Sequence, residues 1–533
     1  MSFRYHPEWT REGDTGYVHY LAFDRIEIID NGIPINNMSR AMDGDEVYYQ
    51  NGEITGVKTR SKRVIVGILQ VTELKKYGKN KRGHPIYKMT PLSWKFPTMY
   101  VASSHRDLRE NLLVLVDFLS WSPFEKYPTG SLNRILGGVS DEQVEDLALL
   151  YKNSLFRKPI DLKDLVLDQP PEEERVEFGL ECNITSIDPI GSEDLDDAFH
   201  ITENRVYVHI ADVDYYIKAS SEADTLIAPR VTTIYGPTIS HMLDSRLAEN
   251  VLSLKPGKRK AVMTIELLYT PEQGLVPHKV YPAYIWPKRA LTYEIAQELL
   301  DAAKDLHLET VSQYTNEKDT HKIIEYLMVK CNAYVGDLLK ERGKSGLYRV
   351  CQADEPAKYV IANSLTPGPV RHAALNLDYY THFTSPIRRY ADVLVARCLK
   401  GHHYESARLQ AFAIEINSFN EKTRRYYRDL DILKLYRTVQ EKGGLWETEG
   451  TIRTIRDTRV TVYLPELNMD YSYPLFDDRL KFNLAVQQTD TMFSIGNDIW
   501  LPFNRPIRVL LRSDPLALKL YKKVILKLSA LLK

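Results

Sequence analysis

Short segments in which apolar and polar residues alternate occupy the first third of the chain. Three of them lie within residues 15–50, separated by the turn sequences Asn-Gly-Ile-Pro and Asp-Gly-Asp, and apolar segments follow at residues 63–71 and 112–118. Strands of this length and spacing are typical of small OB-type β-barrels. A Lys/Arg-rich loop at residues 75–82 suits single-stranded nucleic acid, although a solvated loop explains it equally well.

The middle of the chain changes from strand-like to helical periodicity. A strand is predicted at residues 206–217, and alternation returns at residues 261–269. An earlier helix is predicted at residues 140–152, with Ser140 as its N-cap. Beyond residue 290 the apolar residues recur at helical spacing. They predict helices at residues 293–304, 319–341, 386–400 and 405–442.

Two breaks in this pattern separate the regions. Residues 170–175 read Pro-Pro-Glu-Glu-Glu-Arg, which is typical of a linker, and Gly443 and Gly444 precede a last alternating segment at residues 450–464. We therefore predict a multidomain α+β protein with small N-terminal β-barrels, a large central domain of sheet plus helices, and a C-terminal OB-type barrel. The predicted domains are two OB-like regions (the second with a connector), the central domain and the last barrel, at residues 1–60, 61–168, 169–443 and 444–533.

Composition narrows the class of protein without identifying it. Hydrophobic residues make up 44% of the 533 residues and charged residues 26%, which is ordinary for a soluble protein of several domains. No apolar segment reaches the length of a membrane span, and the first residues lack the apolar core of a signal peptide. The four cysteines form no CxxC pair, which argues against a zinc site and indicates a reducing compartment. We expect a cytoplasmic protein. Because its net charge is −1, a polyanionic partner must contact local basic surfaces.

The densest group of chemically active residues lies in residues 187–199. It contains five acids: Asp188, Glu193, Asp194, Asp196 and Asp197. Pro189 and Gly191 interrupt regular structure between apolar flanks, so the acids are predicted on a loop between two strands. Two carboxylates about 4 Å apart repel by about 4 kcal/mol at an effective dielectric of about 20. A fold accommodates such a group if the acids extend into water, share protons or bind hard cations such as Mg²⁺.

A second informative segment, residues 379–390, reads Tyr-Tyr-Thr-His-Phe-Thr-Ser-Pro-Ile-Arg-Arg-Tyr. Pro386 suits the first turn of a helix, with Ser385 as its N-cap. The free N–H groups of such a helix end predict a phosphate site together with the side chains of His382, Arg388 and Arg389. Ordinary salt bridges at a charged helix start are the alternative.

These two segments carry complementary chemistry. Phosphodiester hydrolysis can use two carboxylate-bound Mg²⁺ ions, of which one activates water and the other stabilises the leaving oxygen. An arginine then offsets the charge that develops on the phosphoryl group. Sequence spacing alone leaves open whether the two segments meet in space.

The acidic segment resembles the catalytic signature of the ribonuclease II/ribonuclease R (RNB) family of exoribonucleases, in which Asp-x-Asp-Asp-Ala follows Ile-Asp-Pro. The Asp-Leu-Asp-Asp-Ala sequence is intact here, and residues 382–392 resemble the family's second signature. Residues 126–130, Lys-Tyr-Pro-Thr-Gly, are similar to the eukaryotic branch, which includes the exosome-associated enzyme and its free cytoplasmic relative. Further similar motifs follow in the family's order: His-Ile-Ala-Asp-Val (209–213), Thr-Thr-Ile-Tyr (232–235), Leu-Ala-Glu-Asn-Val-Leu-Ser-Leu (247–254) and Leu-Thr-Tyr-Glu (291–294).

The resemblance implies the fold and the activity. The barrels would be cold-shock or OB domains around an RNB catalytic domain. The activity would be Mg²⁺-dependent 3′–5′ hydrolysis of single-stranded RNA to nucleoside 5′-monophosphates, and it would be processive. A two-ion site is implied, with Mn²⁺ as the alternative ion. We expect RNA as the partner, no membrane association, a monomer, and none of the endonuclease domain that exosome-associated members carry.

The resemblance also implies a role for individual positions. Asp188 and Asp197 would bind Mg²⁺, and Asp194 would complete the metal site. Asp196 would be the acid whose loss stops cleavage while RNA binding persists, and Arg388 would act on the scissile phosphate. Glu193 lies outside this set. RNA contacts are implied for Tyr235, Tyr348, Tyr293, His382, Ser385 and Arg389. A half-buried core aromatic is the alternative for each tyrosine.

Three positions depart from the family pattern without removing a metal ligand or Arg388. Asp244 stands where proline is usual, Val231 where glycine is common, and Ala396 where histidine is often found. We therefore predict an active exoribonuclease. The rival hypotheses are a catalytically inactive RNA-binding protein of the same fold and a phosphoryl-transfer enzyme acting on DNA. The N-terminal region is short for two complete cold-shock barrels.

Overall fold

Two compact units divide the chain, one formed by Met1–Phe156 with Lys422–Lys533 and the other by Arg157–Glu421. In the part of the chain that the structure describes, no helix is long and apolar enough to cross a membrane. The computed structural model describes residues 13–20, 26–28, 32–35, 40–122, 124–161, 174–343, 345–352, 355–362, 368, 370–456, 459–474, 486–488, 492–495, 499–502, 505–515, 517–518 and 520–528.

The N-terminal part of the first unit contains two β-structures. Four strands form an antiparallel sheet in the order β2-β1-β3-β4: β1 (Asp14–Tyr20), β2 (Ile26–Ile28), β3 (Glu46–Gln50) and β4 (Glu53–Thr59). Five more close into a barrel in the order β5-β6-β7-β9-β8: β5 (Ile65–Leu69), β6 (Ile86–Pro91), β7 (Met99–Ala102), β8 (Leu112–Ser120) and β9 (Thr129–Gly138). Helix α1 (Glu142–Lys152) packs on this barrel through Ala148.

The second unit is built on a seven-stranded sheet in the order β10-β17-β16-β13-β12-β11-β18. Its strands are β10 (Val176–Phe178), β11 (Thr185–Asp188), β12 (Asp197–Thr202), β13 (Arg205–Ala211), β16 (Lys260–Thr270), β17 (Gly274–Ile285) and β18 (Arg289–Thr292). Three hairpins accompany it: β14 (Ile234–Tyr235) with β15 (Ile239–Ser240), β19 (Gly346–Val350) with β20 (Lys358–Ala362), and β21 (Arg371–His372) with β22 (Leu377–Asp378).

Helices cover this sheet and complete one large hydrophobic core. They are α2 (Val213–Tyr216), α3 (Glu222–Ile227), α4 (Tyr293–Asp301), α5 (Leu306–Thr315), α6 (Thr320–Glu341), α7 (Tyr390–Leu399) and α8 (Ser406–Glu441), with a π-helix at Leu247–Leu252 and 3₁₀ turns at Ala228–Arg230 and Ala373–Leu375. Every residue of α7 is buried, which explains its nearly continuous apolar sequence. The apolar side chains of α7 belong to the same core cluster as Ile187 of β11 and Phe199 of β12.

The C-terminal part belongs to the first unit and is again β-rich. Its five-stranded sheet has the order β25-β24-β23-β29-β30, and a three-stranded sheet has the order β26-β27-β28. The strands are β23 (Leu445–Arg456), β24 (Arg459–Leu464), β25 (Met469–Pro474), β26 (Val486–Gln488), β27 (Met492–Ile495), β28 (Ile499–Pro502), β29 (Pro506–Ser513) and β30 (Val524–Leu528), with 3₁₀ turns at Pro465–Leu467 and Leu520–Lys522.

The predicted α+β class, with barrel-like ends and a central domain of sheet plus helices, is confirmed. Besides the helix predicted at residues 386–400, which starts at Tyr390, two further element predictions are wrong. The helix predicted at residues 140–152 starts at Glu142, because Asp141 accepts hydrogen bonds from the Gln143 and Val144 N–H groups; the Ser140 hydroxyl donates to Glu110 instead. The strand predicted at residues 206–217 ends at Ala211, where α2 takes over. Most of the predicted linker at residues 170–175 lies outside the described residues.

Candidate active site

The acids lie on a loop between two hydrogen-bonded strands, as predicted. Asp188 ends β11 and Asp197 begins β12, and the two strands are antiparallel neighbours in the central sheet. The loop between them is fixed by the buried Ser253, whose hydroxyl accepts from the Leu195 N–H (3.0 Å) and donates to the Glu193 carbonyl (2.8 Å). The acids are therefore held by the sheet and by the turn before β16.

Asp188 and Asp197 form the repulsive pair of the site. Burial and the nearby Asp197 raise the pKa of Asp188 to about 7, and burial raises the pKa of Asp197 to about 6. Arg388 opposes both shifts. The Asp188 Oδ2 atom is buried and has no hydrogen-bond partner among the described residues. A buried carboxylate oxygen in that condition is costly unless a proton or a cation binds it.

Asp196 faces Arg388 and connects the acidic loop to the second segment. This carboxylate is 2% exposed, and it accepts hydrogen bonds from the Ile387 N–H (2.7 Å) and from Arg388 Nε (3.0 Å). Burial raises the pKa of Asp196, whereas Arg388 and the Ile387 N–H oppose the rise. In turn Asp196 raises the pKa of Arg388. Because the Ile387 N–H and Arg388 Nε both donate to the Asp196 carboxylate, we treat Asp196 and Arg388 as an ion pair.

Residues 385–390 do not start a helix at Pro386, and this corrects the prediction of a phosphate site on a helix end. They form a turn closed by Arg388 and Arg389 N–H bonds to the Ser385 carbonyl, and α7 begins at Tyr390. The Asp392 carboxylate explains the turn, since it accepts from the Ser385 N–H (2.8 Å) and from Arg389 Nη2 (2.7 Å). Arg389 is extended and pairs with Thr232.

Arg388 is oriented from three sides. Its Nη2 donates to the Ser385 hydroxyl (2.9 Å), and its carbonyl accepts from the Thr233 N–H (3.0 Å) and the Thr232 hydroxyl (2.7 Å). The side chain is still 43% exposed. A guanidinium that is fixed at its base and open at its surface suits an anionic group arriving from solvent.

Tyr235 occupies the neighbouring hairpin and binds the remaining acid. Its hydroxyl donates to Asp194 (2.7 Å), while the residue is 41% exposed. Burial of the hydroxyl and the Asp194 charge raise the pKa of Tyr235. Asp194 is therefore turned toward the tyrosine and Asp196 toward Arg388. Among the described residues, no three His, Cys, Asp or Glu side chains are close enough to hold one metal ion.

The residues nevertheless fit a divalent cation at Asp188 and Asp197. The unpartnered Asp188 oxygen and the repulsion between the two carboxylates would both be relieved by a hard cation. Asp194 also lies near Asp188, since its charge helps to raise the pKa of Asp188, while its Oδ2 atom accepts from the Tyr235 hydroxyl. The three-aspartate metal set stays a prediction.

The other residues predicted to contact RNA differ in accessibility. The Tyr293 ring is half-buried and stacks on His321 with centroids 3.9 Å apart, and the pKa of Tyr293 is raised to about 12 by burial and then by Asp197 and Asp188. Tyr348 is 1% exposed in the core. The prediction that Tyr348 stacks a base is therefore wrong for this arrangement, since its ring packs against Tyr379.

His382 and Ser385 support the site from behind. The His382 Nδ1 atom lies 2.6 Å from the Tyr359 hydroxyl, and burial holds the pKa of His382 well below its usual range. A neutral His382 does not add positive charge to the predicted phosphate site, and its contact with RNA stays a prediction. Ser385 is 3% exposed and acts through Arg388.

Sequence reasoning missed a group of aromatic and basic residues on the closed barrel of the first unit. Tyr100 lies between Tyr77 (5.0 Å between ring centroids) and Tyr127 (5.5 Å). Lysine ammonium groups approach these rings, with Lys75 and Lys88 each 5.4 Å from the Tyr77 centroid and Lys126 5.4 Å from that of Tyr127. We call these six residues the barrel patch. The charged loop at residues 75–82 was its only sequence signal.

Comparisons with known proteins find two domain matches. The RNB domain family matches residues 180–313 and 355–405, and the Dis3-like cold-shock domain 2 matches residues 86–154. The second unit of the chain therefore contains an RNB domain. The probable exosome complex exonuclease RRP44 of Caenorhabditis elegans is 23% identical over 543 residues, which cover 78% of this chain and 55% of that relative. The chain thus spans about half of that relative's length.

Solved structures resemble the whole described chain. RNase R of Mycoplasma genitalium, in complex with ribose-methylated single-stranded RNA, gives a TM-score of 0.78 at 18% identity and covers 97% of this chain and 100% of that one. Yeast Ssd1, a pseudonuclease, gives 0.68 at 15% identity and covers 96% of each chain. At these identities the likeness establishes the fold of the chain alone, and that fold is shared by RNase R and by a pseudonuclease.

Proposed function

We propose that the protein is a hydrolytic 3′–5′ exoribonuclease that degrades single-stranded RNA to nucleoside 5′-monophosphates and requires Mg²⁺. The single observation that carries the proposal is the contact between the two segments that are 191 residues apart. Asp196 accepts from the Ile387 N–H and binds Arg388, and the Oδ2 atom of nearby Asp188 has no hydrogen-bond partner in the described part of the chain. The exonuclease and RNase R among the similar proteins support the class of reaction and of substrate.

Each residue of the site has a chemical task under this proposal. Asp188 and Asp197 would hold Mg²⁺, with Mn²⁺ as the alternative ion. When bound, the cation supplies activation of water and stabilisation of phosphoryl oxygens. Arg388, kept charged and oriented by Asp196, places its guanidinium at the scissile phosphate and offsets the charge that develops there. Asp194 holds the Tyr235 hydroxyl and thereby orients the exposed ring.

RNA binding without sequence preference requires stacking surfaces and positive charge. Tyr235 offers a ring 41% exposed beside the acids, and Tyr293 offers one half-buried. The barrel patch offers three further rings with lysines over two of them. These surfaces suit the bases and phosphates of a single strand.

The product pattern from a 5′-labelled single-stranded RNA tests the proposal directly. We expect stepwise shortening from the 3′ end in Mg²⁺, release of nucleoside 5′-monophosphates, and no cleavage in EDTA. The ladder also reports processivity and the length of the final product. Internal fragments or shortening from the 5′ end would contradict the assigned direction. Faster cleavage of a matched DNA strand would contradict the assigned substrate.

A second candidate function is RNA binding without catalysis, which the likeness to the pseudonuclease Ssd1 favours. The four aspartates and Arg388 are all present in the sequence, and Asp196 binds Arg388, which supports the enzyme instead. The two candidates differ in one measurement. An inactive binder would protect labelled RNA at high protein concentration in Mg²⁺ or Mn²⁺, whereas an enzyme would consume it.

A further inference from the structure

A second polar cavity lies within the central unit, beyond the far end of α7. Its volume is about 410 Å³, which lies within the range of small-molecule sites, roughly 300–1,000 Å³. Helix α7 begins at Tyr390, directly after Arg389, and ends at Leu399; Leu399 and Lys400 line the cavity. Ten helical residues span about 15 Å. The cavity is therefore separate from Arg388 by the length of this helix.

The sheet register gives the same separation from the acids. Asp197 pairs with Ile210, Ile210 with Met263, and Met263 with Pro282, and the last two residues line the cavity. With strands about 4.8 Å apart, Met263 lies about 10 Å from Asp197 and Pro282 about 14 Å away. The cavity is thus a neighbour of the candidate active site but shares no lining residue with it.

The lining of the cavity is positive on one side. Four cations contribute to it, namely Arg175, Lys218, Arg342 and Lys400, against one carboxylate, Asp214. The two inner cations, Lys400 and Arg175, already form ion pairs within the protein. Lys400 binds Asp212 (2.5 Å) and Asp214 (3.2 Å), and Arg175 binds Asp212 (2.9 Å). Lys218 and Arg342 lie at the exposed rim, where Arg342 is steadied by one hydrogen bond to the Leu399 carbonyl (2.6 Å).

Another part of the lining is apolar and partly aromatic. Val280, Tyr281 and Pro282 follow one another along β17 and are all half-buried. A ligand that fits both walls carries an anionic group at one end and a flat, weakly polar body at the other. We propose that this cavity binds a nucleoside monophosphate, with the phosphate between Lys218, Arg342 and Lys400 and the base against the β17 wall. The choice of ligand rests on the proposed function, of which it is the product, but its binding is measurable without turnover.

Calorimetric titration of the full chain with adenosine 5′-monophosphate tests this site. We expect Lys218→Glu/Arg342→Glu to weaken binding by about tenfold or more, because two attractive charges become repulsive. The matched control Lys304→Glu/Lys322→Glu reverses two exposed lysines of the same unit outside the cavity. It should keep the affinity within about twofold of the parent chain. Arg388→Ala should also keep the affinity for adenosine 5′-monophosphate within about twofold of that of the parent chain.

An unchanged affinity in the rim variant, Lys218→Glu/Arg342→Glu, would overturn the assignment. Loss of binding in Arg388→Ala would also overturn it, because it would place the nucleotide at the catalytic site. Thermal unfolding shows whether the two charge-reversal variants are folded. If Lys218→Glu/Arg342→Glu is not folded, Lys218→Gln/Arg342→Gln is titrated in its place. The affinity for a single-stranded RNA oligonucleotide is measured in the same variants. If the rim variant loses more affinity for this RNA than for the monophosphate, the cavity is an RNA site and the proposal is refuted. If the protein binds the monophosphate but does not degrade RNA, only the proposed function is refuted.

Discussion

Asp196 and Arg388 work as one unit, so a change that preserves the shape of Asp196 should separate chemistry from binding. In Asp196→Asn the amide NH₂ group would face Arg388 Nε, so that two donors meet. The amide oxygen would still accept from the Ile387 N–H. We expect single-turnover cleavage to fall at least about 100-fold, with RNA affinity within a few-fold of the parent. Glu193→Gln is the control, because Glu193 contacts Lys255 on the outer side of the loop. Cleavage by Asp196→Asn at the parent rate would refute the role of this acid.

The Asp188–Asp197 pair makes stability depend on pH when no cation is present. Their folded-state pKa values, about 7 and about 6, lie above the unfolded value of 3.8, so the folded chain binds more protons than the unfolded chain between about pH 4 and 7. Stability therefore falls as pH rises through this window. In EDTA, Asp188→Asn should melt a few degrees above the parent at pH 8 and close to it at pH 5. Mg²⁺ should stabilise the parent at pH 8. An equal difference at both pH values would refute the coupling.

Individual residues show what the sequence can and cannot predict. The acids were found because five of them crowd between apolar flanks, a pattern that needs no structure to interpret. Tyr348 was misjudged because an aromatic residue in a strand looks the same whether its ring faces solvent or the core. His382 is part of the predicted phosphate site, but its burial and the nearby Arg389 and Arg349 lower its pKa, and the sequence does not show this. Burial is a property of the packed molecule and has no local sequence signal.

At the level of elements, a clasp of two arginines positions the hairpin that carries Tyr235. The Arg157 guanidinium donates to the Thr232 carbonyl (2.7 Å) and to the Ser240 carbonyl (2.6 Å) and hydroxyl (2.9 Å). Arg230 binds back to the Lys158 carbonyl (2.9 Å). Burial and Arg230 lower the pKa of Arg157 to about 9. The same segment holds the Arg388 carbonyl through Thr232, so the clasp aligns both sides of the site.

Arg157→Lys tests whether this clasp is a positioning device. A lysine cannot serve the same spread of acceptors, so we expect a loss of about 1–2 kcal/mol in unfolding free energy and about tenfold in cleavage rate. The discriminating measurement is a double-mutant cycle with Tyr235→Phe, in which coupling above about 0.5 kcal/mol indicates a shared element. Arg371→Lys, at an exposed arginine of the same unit, is the control. Strict additivity would mean that Arg157 only stabilises the fold.

Element boundaries were predictable where the periodicity was long and failed where a side chain redirected the backbone. The helix predicted at residues 319–341 has its cap at Asp319, which accepts from the His321 and Lys322 N–H groups. The helix predicted at residues 386–400 starts four residues late. The reason is Asp392, which binds the Ser385 N–H from within α7 and closes a turn ahead of it. Such a contact depends on tertiary placement and is not visible in the Ser-Pro pattern.

At the scale of the whole molecule, the two units divide binding and chemistry under the proposed function. Tyr100 is the central ring of the barrel patch, and it belongs to the unit that does not contain the acids. Tyr100→Ala should weaken RNA binding by about 1–3 kcal/mol, since one stacking surface is lost, and leave the rate at saturating RNA unchanged. Tyr100→Phe keeps the ring and should keep the affinity. Equal losses in the two variants would contradict stacking.

Because the net charge is −1, the protein can attract RNA only through local groups of cations. The slope of log affinity against log salt counts the phosphate contacts, at about −0.7 per contact for a single strand. If Lys75, Lys88 and Lys126 each neutralise one phosphate, replacing all three with glutamine should reduce the slope by about 2. The matched variant Lys304→Gln/Lys318→Gln/Lys322→Gln removes the same charge from the other unit and should leave the slope unchanged. Fluorescence anisotropy over a salt series measures both. Equal slopes in the two triple variants would show that RNA responds to overall charge and that the barrel patch does not contact its phosphates.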